Sequence, residues 1–307
     1  MTVFQKKLER RHFFCRRAVV FAVIFCYTVY IEVRKAVSII YTYIKELLLG
    51  EGIELFAPVP LSDCRITKKY LLDRAGIEGG TAIMIAVPYL SEELAEKHNI
   101  SAYCAVRDYH GYFAGLWKRI LPLLSERFPE NRFAGFADHS PIDERDAAAR
   151  AGIGIYGKNG MLITEKYSSY VFLGELITDA EIPCESHEIR ECEGCMRCRR
   201  ECPMSEIGQC LSALTQKKGE FTESEAEAVR KYGSVWGCDI CQEVCPHTMR
   251  AMKGGTIYTN IEYFKEGVIS VLDLHTLDSM SDEEFLTRAF SWRGRNTVRR
   301  NLLLFEK

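Results

Sequence analysis

The chain has 307 residues, 47% of them hydrophobic, with 40 Lys and Arg against 42 Asp and Glu. A net charge of −2 excludes a global field that would draw the molecule onto nucleic acid or acidic lipid, so any such contact must come from local patches. The length allows a sizeable core and predicts two domains, and 13 cysteines in such a chain argue against a disulfide framework and for a reducing compartment, the cytoplasm.

Lys6, Lys7, Arg10, Arg11, Arg16 and Arg17 precede an apolar run from Ala18 to Ile31. The layout is that of a signal anchor, but the run falls short of the roughly 20 residues that span a bilayer. Residues 1–37 are therefore expected to be an extension, from a non-native start or as a membrane-peripheral helix, and no stable membrane association is expected. An α/β domain is predicted over 38–182. Ile39, Ile40, Tyr43, Ile44 and Leu47 recur at helical spacing, and Thr81 to Tyr89 is an apolar, partly β-branched strand. Ser91 caps a short helix, and a long helix containing Pro122 begins near Asp108. Tyr103, Asp108, Tyr109 and His110 are polar enough to form a pocket wall, although a single His on such a helix also fits a hydrogen-bonded structural role.

Arg132 to Ala137 predicts a strand that delivers Asp138-His139-Ser140-Pro141 at its end, where α/β folds place ligands. Asp138 or Ser140 fits equally as the cap of a helix starting at Pro141. Gly152, Gly154 and Gly157 match G-x-G-x-x-G, but the run follows a helix and leads into a strand from Met161 to Thr164, the reverse of a dinucleotide site. It is expected to be a backbone-dense turn open to a bulky ligand. Ser169 to Ile177 is another strand.

A small module is predicted over 183–255. Cys192, Cys195, Cys198 and Cys202-Pro203 make C-x2-C-x2-C-x3-C-P, and Cys238, Cys241 and Cys245-Pro246 repeat it without the leading cysteine, which Cys210 can supply. This is the spacing of bacterial ferredoxins with two 4Fe–4S clusters. A tetrahedral zinc site would leave four cysteines and both Cys-Pro steps unexplained. Helices are expected from Cys210 and from Ser224 to Tyr232. The segment 256–307 ends in a capping box at Ser281 and an arginine-rich run, Arg288, Arg293, Arg295, Arg299 and Arg300 around Trp292. That run suits phosphate contact and base stacking, or a solvated helix face with an aromatic lock.

Seven stretches together resemble the epoxyqueuosine reductase family from about residue 38 onward. They are Tyr103 to His110 (YxxxxDYH), Asp138 to Arg145 (D-x-x-P-x-x-E-R), Ala151 to Asn159, Phe172 to Asp179, the first cysteine run, Cys210 to Thr215, and Gly237 to Pro246. The resemblance implies a cobalamin-binding α/β domain followed by a ferredoxin-like double-cluster domain. It implies Cys192, Cys195, Cys198 and Cys245 on one 4Fe–4S cluster and Cys202, Cys210, Cys238 and Cys241 on the other, with Asp138 as proton donor. The substrate implied is epoxyqueuosine in the anticodon loop of tRNA, with electrons from a low-potential donor such as flavodoxin or ferredoxin. Cys104, His110, Asp138, Lys158, Ser212 and Thr215 are the expected cobalamin contacts, and a monomer is expected. Val106, Ile155-Tyr156 and His139 depart from the family pattern around the pocket. A paralogous corrinoid reductase of a small molecule, or a plain electron carrier, are the competing readings.

Overall fold

The computed structural model describes residues 39–95, 98–204 and 208–306, so the extension expected over 1–37 lies outside the described residues. In chain order the first half comprises α1 (residues 39–50), β1 (Leu55–Pro60), α2 (Lys69–Ala75), β2 (Thr81–Pro88), α3 (Ala102–Ala105), α4 (Tyr109–Arg127), β3 (Phe133–Phe136) and α5 (Glu144–Arg150). Then come β4 (Gly154–Tyr156), β5 (Leu162–Thr164), β6 (Val171–Thr178), α6 (Arg197–Arg200), α7 (Leu211–Thr215), α8 (Glu223–Tyr232), α9 (Ile240–Glu243) and α10 (Pro246–Lys253). The chain closes with α11 (Glu262–Lys265), α12 (Leu274–Ser279), α13 (Asp282–Leu286) and α14 (Arg295–Leu303).

Helices and strands are mixed as expected, but the main sheet, β1-β2-β6-β3, is antiparallel throughout. The ligand rule for parallel sheets therefore does not place Asp138, and its local turn does. Strand β2 is buried at every position because both sheet faces are covered. Ile83, Ile85 and Val87 face one core, and Ala82, Met84 and Ala86 face the other. Helix α4 covers the first face with Phe113, Leu116, Trp117 and Ile120. Two strand glycines admit its aromatic rings. A Cβ on Gly174 would stand 2.4 Å from the Phe113 ring, and one on Gly135 would stand 2.2 Å from Trp117. Helix α5 covers the second face with Ala147, Ala148 and Ala149, small enough for close approach.

The helix after Asp138 starts later than expected. Asp143, not Asp138 or Ser140, caps α5 by accepting from Asp146 N, so residues 138–143 form a separate turn. The first part of the glycine run is itself strand β4, hairpinned to β5. Strand β1 and helix α2 escape the sequence reading.

The segment 256–307 is built into the larger core: Ile257, Ile261, Phe264, Leu277, Phe290 and Val298 pack in the same cluster as α4. Trp236, just before Cys238, is fully buried there, and its carbonyl accepts from Ser101 N at 2.7 Å. Asp239 accepts from Ala102 N at 2.6 Å and so secures the start of α3. Among the described residues no helix is long and apolar enough to cross a membrane.

The arginines of the tail are mostly engaged within the chain, nearer to the helix-face alternative than to a row of phosphate contacts. Arg288 is buried. Arg295 donates to the carbonyls of Leu277, Met280 and Ser281, and Arg299 pairs with Asp278. Arg300 lies over Phe221 at 3.8 Å and donates to the carbonyls of Lys217 and Gly219. Arg300→Ala is expected to cost about 1–3 kcal/mol in chemical denaturation.

Candidate active site

Asp138 stands two residues beyond β3 with φ 61°, in the left-handed region that Asp tolerates better than most residues. The turn is held from inside: Asp138 N donates to Glu144 Oε1 at 2.9 Å. Its side chain is 65% exposed, and Oδ2 lies 3.4 Å from His110 Nε2. His110 Nδ1 is 2.8 Å from Asp108 Oδ1, and the same oxygen accepts from His110 N to cap α4. The Asp108 hydrogen bond, followed by weaker help from Asp138, raises the His110 pKa above the usual imidazole value. An imidazole whose protonated form is favoured thus stands between two carboxylates on an open face.

The sequence reading missed what fixes that imidazole. His110 leans on Tyr109 with 4.2 Å between centroids, Tyr109 stacks on Phe172 at 4.4 Å, and Phe172 stacks on Tyr89 at 4.3 Å. This column ties the first turn of α4 to β6 and to the end of β2. A four-residue contact drawn from three elements leaves no local pattern in the sequence. His139, the departure beside Asp138, is engaged by Tyr70 OH at 2.9 Å and Lys68 Nζ at 3.3 Å.

Beneath the turn lies a carboxyl pair, Glu144 half-buried and Glu175 fully so. Glu175 sits in the middle of β6, opposite Met84 and Phe136, and is fully buried. Ser140 Oγ donates to Glu175 Oε1, and Ile142 N donates to Ser140 Oγ at 3.1 Å. Burial pushes the Glu175 pKa well up, and the neighbouring Glu144 carboxyl adds to it. Glu144 is also raised, first by burial.

Helix α5 connects the acid turn to the cysteines. Glu144, its first residue, holds Asp138 N, and Arg145, its second, donates to Gly160 O at 2.6 Å. Gly160 belongs to the turn between β4 and β5. Within that turn Lys158 N approaches Cys192 Sγ at 3.4 Å, Asn159 Nδ2 donates to Cys241 O at 3.4 Å, and Lys158 O accepts from Arg199 Nε at 3.1 Å. One glycine turn thus touches both cysteine runs.

All the described cysteines are free thiols. Burial raises Cys241 to about 12 and Cys238 to about 11, and Cys210 adds to both; Cys202 also acts on Cys238. Burial likewise raises Cys198, with Cys195 and Cys192 adding to it. The thiols of the two runs therefore act on one another across the runs as well as within them, Cys198 on Cys241 among them, and bound iron would supply the missing positive charge. Among the described residues no three Cys, His, Asp or Glu side chains converge as a single metal ion requires. A 4Fe–4S cluster needs no such convergence, because each thiolate binds a different iron.

The other expected cofactor contacts are placed differently. Cys104 is fully buried, and its thiol donates to Ser101 O at 3.0 Å, so it is a core group and not a surface contact. Thr215 is also fully buried; its hydroxyl donates to Ser212 O at 3.0 Å and accepts from Gly237 N at 3.0 Å. Ser212 Oγ is occupied by Gln216 Nε2 at 3.0 Å. Lys158 Nζ pairs with Glu191, and its backbone N and O are engaged by Cys192 and Arg199. A cavity of about 710 Å³ between α2 and the start of β2, lined by Leu61, Cys64, Ile77 and Gly79, includes none of these groups.

No family model matches the chain. An epoxyqueuosine reductase from Listeria monocytogenes is 30% identical over 287 residues, covering 86% of this chain and 73% of the relative. The chain belongs to the epoxyqueuosine reductase family. This is a family of oxidoreductases. A Lactococcus garvieae member is 30% identical over 239 residues, 72% of this chain and 66% of its own length, and the chain spans 54% of a Bacillus cereus member. The solved Streptococcus thermophilus epoxyqueuosine reductase shares the fold with a TM-score of 0.65 and 25% identity, covering 86% of this chain and 80% of that one. A further solved family structure, with an epoxyqueuosine-modified tRNA stem loop, has a TM-score of 0.61 at 24% identity.

Cys210 is the displaced member of the ferredoxin pattern, exposed at the cap of α7. Cys210→Ala in anaerobically reconstituted protein is expected to lose about half of the iron and one of two electron paramagnetic resonance signals, with the other retained.

Proposed function

We propose that this chain reduces epoxyqueuosine in tRNA to queuosine, using cobalamin and two 4Fe–4S clusters. The observation that carries the reading is the short protein path from Asp138 through Glu144, Arg145 and the Lys158–Gly160 turn to Cys192 and Cys241. An exposed acid stands at one end, and cysteines that would hold an electron source stand at the other. The reaction, in which an epoxide plus two electrons and two protons gives an alkene and water, needs both.

Cys192, Cys195, Cys198 and Cys245 would hold one cluster, and Cys202, Cys210, Cys238 and Cys241 the other. Asp138, His110 and the glycine turn suit an amide-edged corrinoid, and bound cobalamin supplies low-potential cobalt chemistry toward the epoxide carbon. The chain's own residues handle protons. The Asp138–His110 pair holds one at the open face, Asp108 keeps it there, and the aromatic column fixes the imidazole ring. A low-potential carrier such as flavodoxin or ferredoxin would deliver electrons to the clusters.

The tRNA would meet the exposed Trp292, over which Arg293 lies at 3.6 Å, since an unpaired base stacks readily on such a platform.

Anaerobically reconstituted protein is expected to retain cobalamin and convert an epoxyqueuosine-bearing tRNA stem loop; failure to retain any corrinoid sinks the reading. Asp138→Asn should lower kcat by about a hundredfold or more with tRNA affinity unchanged, whereas Trp292→Ala should weaken affinity and leave single-turnover chemistry intact. Because the His110 pKa is raised, its proton is lost at higher pH than from an ordinary imidazole, and the rate should fall as the medium turns alkaline. A rate that rises steadily with pH would contradict an acid at this position.

A further inference from the structure

The pair formed by half-buried Glu144 and fully buried Glu175 has no place in the scheme so far. Glu175 Oε1 accepts from Ser140 Oγ, but Glu175 Oε2 is buried without a donor among the described residues. The group against it is another carboxyl, Glu144, which accepts from Asp138 N. The surroundings offer little compensation. Met84 of β2 and Ala147 and Ala148 of α5 are apolar, Asp138 adds a like charge to Glu144, and Lys68 is the cation that acts on both carboxyls. Two touching carboxylates cannot both stay ionised in such a place, so one proton remains between them. It belongs on the deeper residue. A proton on Glu175 turns its orphaned oxygen into a donor toward Glu144, and leaves Glu144 a carboxylate, the stronger acceptor for the Asp138 amide.

We propose that Glu175 is a positioning residue for Asp138: it keeps its proton, donates it to the Glu144 carboxylate, and thereby fixes the acceptor that holds the Asp138 turn. The effect on turnover rests on the proposed role of Asp138 as acid; the protonation of the pair does not. Asp138 occupies a left-handed conformation that costs energy, and the hydrogen bond from its amide is what returns that energy. With the proton lost, two facing charges would push Glu144 outward and release the turn.

Full-length reconstituted protein is compared with Glu175→Gln and Glu175→Leu by infrared spectroscopy and by kinetics on epoxyqueuosine-bearing tRNA. The spectrum at neutral pH is expected to contain a protonated-carboxyl C=O band that shifts in D2O and vanishes in Glu175→Gln. Gln keeps a donor toward Glu144, so kcat should stay within about threefold, while Leu removes the donor and should lower kcat about tenfold or more with KM unchanged. The proposal falls if the band is absent, if folded Gln and Leu variants turn over alike, or if the loss appears in KM. If the parent protein does not act on that tRNA, the functional reading fails and the infrared band alone decides the state of the pair.

Discussion

The hydrogen bond from Asp138 N to Glu144 is the contact on which the rest of the site depends. It joins the last residues of an edge strand to the first residue of a helix, across a turn whose backbone would not otherwise choose its conformation. The next residue of that helix, Arg145, reaches Gly160 and so sets the position of the turn that touches both cysteine runs. A shift of α5 along its axis would move the acid and the cysteine-contacting turn together. Three alanines on the buried face of α5 make such a shift hard, because small side chains let the helix sit close on the sheet with little slack.

Chemistry was more legible than architecture in this sequence. Cysteine spacing is a local property of the chain, so the two cysteine runs and the odd position of Cys210 are plain in it, and the long helix opening at Asp108 and the strand ending before Asp138 could be read directly. The antiparallel sheet could not, since strand direction depends on connections whose geometry the sequence does not announce. The column from Tyr89 to His110 and the carboxyl pair were hidden for the same reason. Glu175 falls in the apolar strand SYVFLGELI, where a single acid stands out, and that was the available signal that a partner must be buried with it.

The arginine tail left two readings open in the sequence. Five arginines near a tryptophan carry a strong compositional suggestion of nucleic acid, yet guanidinium groups also serve as multi-donor staples for backbone carbonyls at helix ends and loops. Arg295 and Arg300 do that here, between segments whose carbonyls have no helical partner. Charge counted along the chain overstates the charge that a partner can reach. In the same way, Cys104 and Thr215 fall inside family-like motifs because the core needs them; a motif records what a fold requires as well as what a reaction requires.

Asp239 deserves a final remark because of where it lies in the chain, between Cys238 and Cys241. Its buried carboxylate is spent on the start of α3, and the residue two before Cys238 is the fully buried Trp236 of the main core. The loop that would grip a cluster is therefore also a fastener of the hydrophobic interior. A displacement of Cys238 or Cys241 would therefore travel inward, to α3 and the tryptophan behind it.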